Sequence, residues 1–267
     1  MNGLAVGFFD GVHLGHQAIL RNADVALTFR NHPLTVLAPD RAPQLVMGLA
    51  DRLAAIGKPV TLLDFTHELA ALPPEDFAAR FLAGRKVFCG ENWRFGCRGS
   101  GDADWLRRHG YDVEVVGYAE HDGERISSSR IRRCLAAGEV DAASAMLGRR
   151  FRVRGDVMRG KGVGTKLGYP TVNVRPPNSL ALAHGVYAVE VCGKKAVANY
   201  GCAPTMGNRA WTAPIFEIHF PETLPNLPTQ IGVEVLKFIR PERTFASFEE
   251  LAGQIAVDVN VVMNLKS

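Results

Sequence analysis

Two histidines three residues apart, His13 and His16, lie in the run Gly7-Phe-Phe-Asp-Gly-Val-His-Leu-Gly-His16, between an apolar stretch and a helical one. On a helix that spacing puts both imidazoles on one face. Asp10-Gly11 is a turn dipeptide, and Gly15 lets a ligand approach the helix backbone closely. A helix start offers unpaired N–H groups and the positive end of a dipole, which together favour a phosphate. Two imidazoles beside a triphosphate can donate to oxygens that gain charge in a transition state. Gly7, Phe8 and Asp10 complete this first cradle. The same spacing also suits surface histidines or a metal pair, so the residues alone leave the choice open.

A second anion site is offered by Ile126-Ser-Ser-Ser-Arg-Ile-Arg132. Serines ahead of a helix are ordinarily caps. Three hydroxyls, Ser127, Ser128 and Ser129, followed by guanidinium forks, exceed what a cap needs. Arg130 and Arg132 are two apart and cannot both face one ligand; Arg132 is favoured, though spacing does not decide it.

The third constellation is Gly160-Lys-Gly-Val-Gly-Thr-Lys-Leu-Gly-Tyr-Pro-Thr-Val-Asn173. Its upstream part fits GxxxxGK, but Gly162 stands where a P-loop has Ser or Thr, and no helix follows. Gly160, Gly162 and Gly164, with Lys166, instead suit a loop whose successive N–H groups wrap a nucleotide phosphate. Thr171 and Asn173 are two apart on an extended segment and point to one side. Their oxygens can hold a magnesium ion already bridged to phosphates. Glu217 alternates with Phe216 and Ile218, so its carboxylate leaves their face; Glu234 has a similar setting, and the pattern does not choose between them as a base.

The first half alternates strand and helix. Strands are expected at 4–8, 24–29, 59–63, 86–90 and 112–116, and helices at 13–21, 46–56, 73–83 and 102–109. Proline opens the third helix, and Gly84 and Gly110 follow the third and fourth. Such β/α units argue for a Rossmann-like parallel sheet with ligands at the carboxyl ends of its strands. Helices at 127–137 and 139–147 follow. Beyond Gly148 the texture becomes antiparallel, with strands at 151–158, 185–191, 196–200, 214–220 and 231–239, expected to close into a β-barrel. Ser247-Phe-Glu-Glu250 reads as a capping box for a last helix with Phe248, Leu251 and Ile255 on one face. The expected domains are 1–148 and 149–267.

The chain has 267 residues, 47% hydrophobic and 22% charged, with net charge +4. That excludes disordered, collagen-like and coiled-coil classes and falls short of a dedicated nucleic-acid binder. No apolar run reaches 18 residues, and Met1–Gly15 lacks the basic start of a signal peptide. Five cysteines without a CxxC pair suit a reduced cytoplasm. The expected partners are small phosphorylated molecules, with neither nucleic acid nor membrane; oligomeric state is left open.

HxGH after the first strand, paired with a distal ISSSxIR, resembles the nucleotidylyltransferases, and more closely the FMN adenylyltransferase module of bifunctional riboflavin kinase/FAD synthetases. Gly90-Glu-Asn-Trp-Arg-Phe-Gly96 is similar to that family's VGxNFxFG segment, and 160–173 to its riboflavin kinase signature GxxLGxPTAN. Further matches run through 185–188, 199–207, 216–219 and 233–242.

The resemblance implies two activities: phosphorylation of riboflavin by ATP–Mg²⁺ in a C-terminal barrel, and adenylylation of FMN to FAD in the N-terminal domain, with pyrophosphate leaving. It implies Glu217 as general base, Thr171 and Asn173 at the metal, Asn92 at nucleotide and flavin, and Phe95 and Tyr169 at flavin. His13, His16, Arg132 and the serines would stabilise adenylyl transfer. Three departures stand out: a short first helix, Arg30 at an acidic position of TFDPHP, and Pro225–Gln230 in place of an acidic loop. They keep alive a chain with one activity only. A non-catalytic flavin-binding regulator and a transferase for another phosphate are the remaining rivals.

Overall fold

In the computed structural model, which describes residues 2–158, 170–177, 180–202, 213–221 and 227–265, the first strand is buried at every position. This strand, β1 (Gly3–Val6), leads through a 3-10 turn at Asp10–Val12 into α1 (Leu14–Arg21). There follow β2 (Val25–Phe29), α2 (Leu34–Leu37), α3 (Leu49–Ile56), β3 (Val60–Leu63), α4 (His67–Ala71), α5 (Pro74–Phe81), β4 (Lys86–Gly90), α6 (Ala103–Arg108) and β5 (Val113–Val116). The five strands are all parallel, in the order β3-β2-β1-β4-β5. Full burial of β1 follows from its central place, where both faces are covered. One face packs Leu4, Val6, Leu27 and Val87 against Phe77, Leu82 and Leu106.

Helix ends follow the punctuation in the sequence. Pro74 opens α5, and Gly84 and Gly110 adopt φ of +73° and +79° beyond α5 and α6. Asp102 caps α6 by accepting the Trp105 N–H at 2.7 Å. Among the elements not expected are α2, α4 and a hairpin of β6 (Glu120–His121) and β7 (Glu124–Arg125). Each is too short to show periodicity; α4 is announced only by its cap, Thr66, which accepts from the Leu69 N–H.

The chain divides into two compact units, Met1–Gln44 with Leu49–Ser128, and Leu45–Gly48 with Ser129–Ser267. The second unit contains most of α7 (Ser128–Ala136), then α8 (Val140–Leu147). Its closed antiparallel barrel is formed by β8 (Phe151–Met158), β9 (Thr171–Arg175), β10 (Gly185–Val191), β11 (Lys194–Gly201), β12 (Ile215–His219) and β13 (Gln230–Arg240), in the order β10-β11-β12-β9-β8-β13. Aligned Tyr187, Ala198, Ile218 and Val172 fill it from four adjacent strands. The opposite face of β10 and β11, with Val186, Ala188 and Val197, packs on the last helix, α9 (Phe248–Met263), through Val259 and Val262. Ser247 caps α9 from the Glu250 N–H, but Glu250 reaches back to the Ala246 N–H, one residue short of a reciprocal box.

Candidate functional site

In the first unit the strand order reverses between β1 and β4, and such a switch point opens a crevice at the carboxyl ends of the strands. The loop after β1 carries His13, and the loop after β4 carries Asn92, so topology brings both segments to that edge.

The β1 loop is held in an uncommon backbone conformation. Phe9, Gly11 and Val12 have φ of 58°, 81° and 42°, and for a β-branched residue such as Val12 this is a true outlier. Residues so strained persist where the surroundings over-determine them. Here the Phe8 carbonyl accepts from Thr28 Oγ1 and from Arg52 Nη1, both at 3.0 Å, and the Asp10 carbonyl accepts from Ser128 Oγ at 2.9 Å.

His13 is the N-cap of α1: its Nδ1 accepts the His16 N–H at 3.3 Å. The two rings stack with centroids 3.6 Å apart, and Phe9 meets His16 edge-on at 5.3 Å. A Cβ on Gly15 would come within 3.2 Å of the His13 ring, so the glycine leaves the cap ring room. Burial, and then the neighbouring His13, push the His16 pKa well below its ordinary value. His16 is therefore a neutral imidazole with one donor and one acceptor nitrogen. Its Nδ1 is buried without a hydrogen-bond partner among the described residues.

Asn92 is exposed, in a turn closed by the Trp93 N–H donating to the Gly90 carbonyl at 3.0 Å. Phe95, expected at flavin, is 5% exposed, stacked on Trp93 at 4.8 Å and flanked by Phe77 and Trp105. Its apolar neighbours anchor the loop from within. Arg30 forms an exposed pair with Asp64 at 2.7 Å, the kind that solvent screens. Within the second unit, half-buried Arg132 donates to Ser129 Oγ at 3.3 Å.

The barrel aligns a polar row across three strands. Asn173 on β9 pairs with Glu217 on β12, which pairs with Asn199 on β11. Cross-strand partners share a face, so all three side chains leave the barrel on one side. Thr171 and His219 form the next rung, with Oγ1 and Nδ1 3.0 Å apart. Burial pushes the His219 pKa down, against Glu217 and Asp258, which push it up. Glu234 stands elsewhere: it shares Arg150 with Glu190, at 3.4 and 3.2 Å. The structure thus separates two glutamates that the sequence pattern could not.

Beside the row lies a cavity of about 250 Å³ lined by Val186, Val197, Asn199, His219, Glu242 and Phe245, among others. Asn199 donates to Glu242 at 2.9 Å across it. Its floor is tied to α9 by Arg240, whose guanidinium grips Asp258 at 2.7–3.2 Å. Gly160, Gly162, Gly164, Lys166 and Tyr169 lie outside the described residues, as do Pro225 and Asn226. Sequence reasoning missed Asn199, His219 and Glu242 as site residues; only register between distant strands brings them together.

A parallel sheet with a stacked imidazole pair at its switch point, joined to a barrel with a carboxylate between two amides, defines a two-unit transferase. Residues 2–130 match the FAD synthetase family model and residues 147–266 the riboflavin kinase model. The chain is 33% identical to the bifunctional riboflavin kinase/FMN adenylyltransferase of Escherichia coli K12 over 283 residues, 96% of this chain and 90% of that protein. It is 34% identical to the protein of that name from Pseudomonas fluorescens, over 95% and 89% of the two chains. A crystal structure described as a macrolide-efflux protein from Streptococcus pneumoniae superposes with a TM-score of 0.84 at 27% identity, over 99% of this chain and 94% of that one. Among the described residues, no helix here is long and apolar enough to cross a membrane. The chain belongs to the bifunctional riboflavin kinase/FMN adenylyltransferase family: it is a transferase that joins a FAD synthetase domain to a riboflavin kinase domain.

Proposed function

We propose that the chain makes FAD from riboflavin in two ATP-dependent steps, one on each unit, with activity boundaries near residues 1–148 and 149–267. In the first, the ribityl hydroxyl attacks the γ-phosphorus of ATP, Glu217 accepts its proton, and ADP leaves as FMN forms. In the second, a phosphate oxygen of FMN attacks the α-phosphorus of a second ATP in line, and pyrophosphate leaves. The carrying observation is the division of the chemistry: a stacked His13–His16 pair in one unit, and Glu217 between Asn173 and Asn199 in the other.

The cavity between barrel and α9 suits a flavin ring, with apolar walls and the Asn199–Glu242 pair as polar contacts. Thr171 and Asn173 fit the magnesium ion that ATP carries: both offer hard oxygen donors on one face. When the Thr171 hydroxyl donates to a neutral His219, its lone pairs remain for the ion. Bound there, magnesium neutralises charge on the transferring phosphoryl group. At the other site His13 and His16 donate to the phosphates, and the family pattern supports Gly7, Phe8, Asp10, Gly15, Asn92 and Ser127–Ser129 as further contacts. The family pattern supports Arg132 as a further donor. Five free thiols support work in the reducing cytoplasm.

His16→Ala lowers FAD formation from FMN by about 10²–10³-fold and spares FMN formation. Glu217→Gln lowers FMN formation by about 10²–10⁴-fold and spares FAD formation from FMN. Equal loss of both activities in either folded variant overturns the assignment.

A further inference from the structure

The largest of the fully buried side chains is an arginine, Arg52 on α3, at 2% exposure. Its guanidinium donates to three backbone carbonyls: Phe8 at 3.0 Å from Nη1, and Phe29 at 2.6 Å and Arg30 at 3.2 Å from Nη2. It also lies over the Phe8 ring, 3.9 Å from the centroid. One side chain therefore ties the carboxyl end of β1 to that of β2, at the edge where the sheet takes ligands. Burial pulls its pKa down to about 10, with Asp10 opposing, so it remains charged.

Holding a carbonyl fixes more than the carbonyl. In a trans peptide the C=O and the following N–H point in opposite directions. With the Phe8 carbonyl turned to Arg52 and Thr28, the Phe9 N–H is aimed away from them. An amide aimed in this way, on a loop with left-handed residues, can contribute to an anion nest.

We propose that Arg52 is a positioning residue for adenylyl transfer: its grip on the Phe8 carbonyl, braced by its contacts to the Phe29 and Arg30 carbonyls, locks the strained loop after β1 so that the Phe9 N–H faces the phosphates of ATP. This rests on the nucleotide site assigned above. Arg52 touches neither substrate. A lysine keeps the charge and has three donors, but they radiate from one nitrogen and cannot reproduce the planar fork whose Nη1 holds Phe8 while Nη2 holds Phe29 and Arg30.

Arg52→Lys is expected to lower kcat for FAD formation from FMN by about 10²-fold, because a misplacement near 1 Å costs that much. FMN formation is expected to stay within twofold of wild type and to report folding of the rest of the chain. Thr28→Val, which removes the second donor to Phe8 with little change of volume, is expected to lower the same kcat by a smaller factor. A merely structural arginine would instead lower thermal stability while leaving kcat per folded molecule unchanged at low temperature. That outcome, or wild-type kcat in Arg52→Lys, overturns the proposal. His16→Ala run alongside separates the two failures: if it abolishes FAD formation while Arg52→Lys does not, the positioning role falls alone; if neither matters, the nucleotide site falls too.

Discussion

Removing the carboxylate of Asp258 provides a quantitative test of how the barrel site is held together. Asp258 is 2% exposed and accepts Arg240 Nε at 3.1 and 3.2 Å, Arg240 Nη2 at 2.7 Å and Gln254 Nε2 at 2.9 Å. In Asp258→Ala the Arg240 guanidinium, on a side chain only 19% exposed, keeps the Pro241 carbonyl at 3.1 Å as its remaining acceptor among the described residues. Breaking a buried pair from one side costs about 3–5 kcal/mol, because a desolvated charge is left behind. Domains have about 5–15 kcal/mol in total, so the loss is large. Replacing both partners, Arg240→Met with Asp258→Leu, removes both charges and retains bulk; such exchanges are often neutral. Urea unfolding followed by far-UV circular dichroism measures Asp258→Ala, the double variant and its two single variants, Arg240→Met and Asp258→Leu. The expected result is a strong coupling, with the double variant close to wild type and each single variant far below it. Additive losses, or a loss under about 1 kcal/mol in Asp258→Ala, refute the reasoning. Since Arg240 and Asp258 line the cavity, the single variant is also expected to raise the KM for riboflavin and leave FAD formation from FMN unchanged.

Acid is expected to weaken the fold through His16. Its folded pKa lies below its unfolded value, so the unfolded chain binds the extra proton first; the stabilisation is complete above about pH 6.5 and is lost as pH falls below it. His219 shifts in the same direction, and His16→Gln is expected to flatten part of the decline, measured as unfolding free energy against pH. Gly101→Ala places a Cβ 2.5 Å from the Phe95 ring, which overpacks the loop carrying Asn92. It is expected to cost about 1–3 kcal/mol and to impair FAD formation while sparing FMN formation, as read by chromatography of the two flavins.

Much of this was legible in the residues, for identifiable reasons. The bounds of β4, β8 and β10 agree with the sequence reading because β-rich runs there meet turns and glycines directly. The His13–His16 stack follows from a three-residue spacing at a helix start. The row Asn173–Glu217–Asn199 was not legible, since it depends on register between strands far apart in the chain. Arg52 was hidden because a charged residue on a helix reads as solvated. Its only signal is position: it lies four residues before buried Ile56, on the apolar side of α3. Phe95 shows the converse: an aromatic framed by glycines suits a ligand or a core equally, and its packing on Phe77 and Trp105 was not legible in the sequence.

The central claim is that one chain uses ATP twice, attacking a different phosphorus on each unit. Riboflavin supplied with ATP labelled at the γ-phosphorus, and in parallel at the α-phosphorus, tests it directly. Two sites put the γ label in both FMN and FAD, and the α label in FAD alone. A γ label absent from FMN, or an α label absent from FAD, contradicts it.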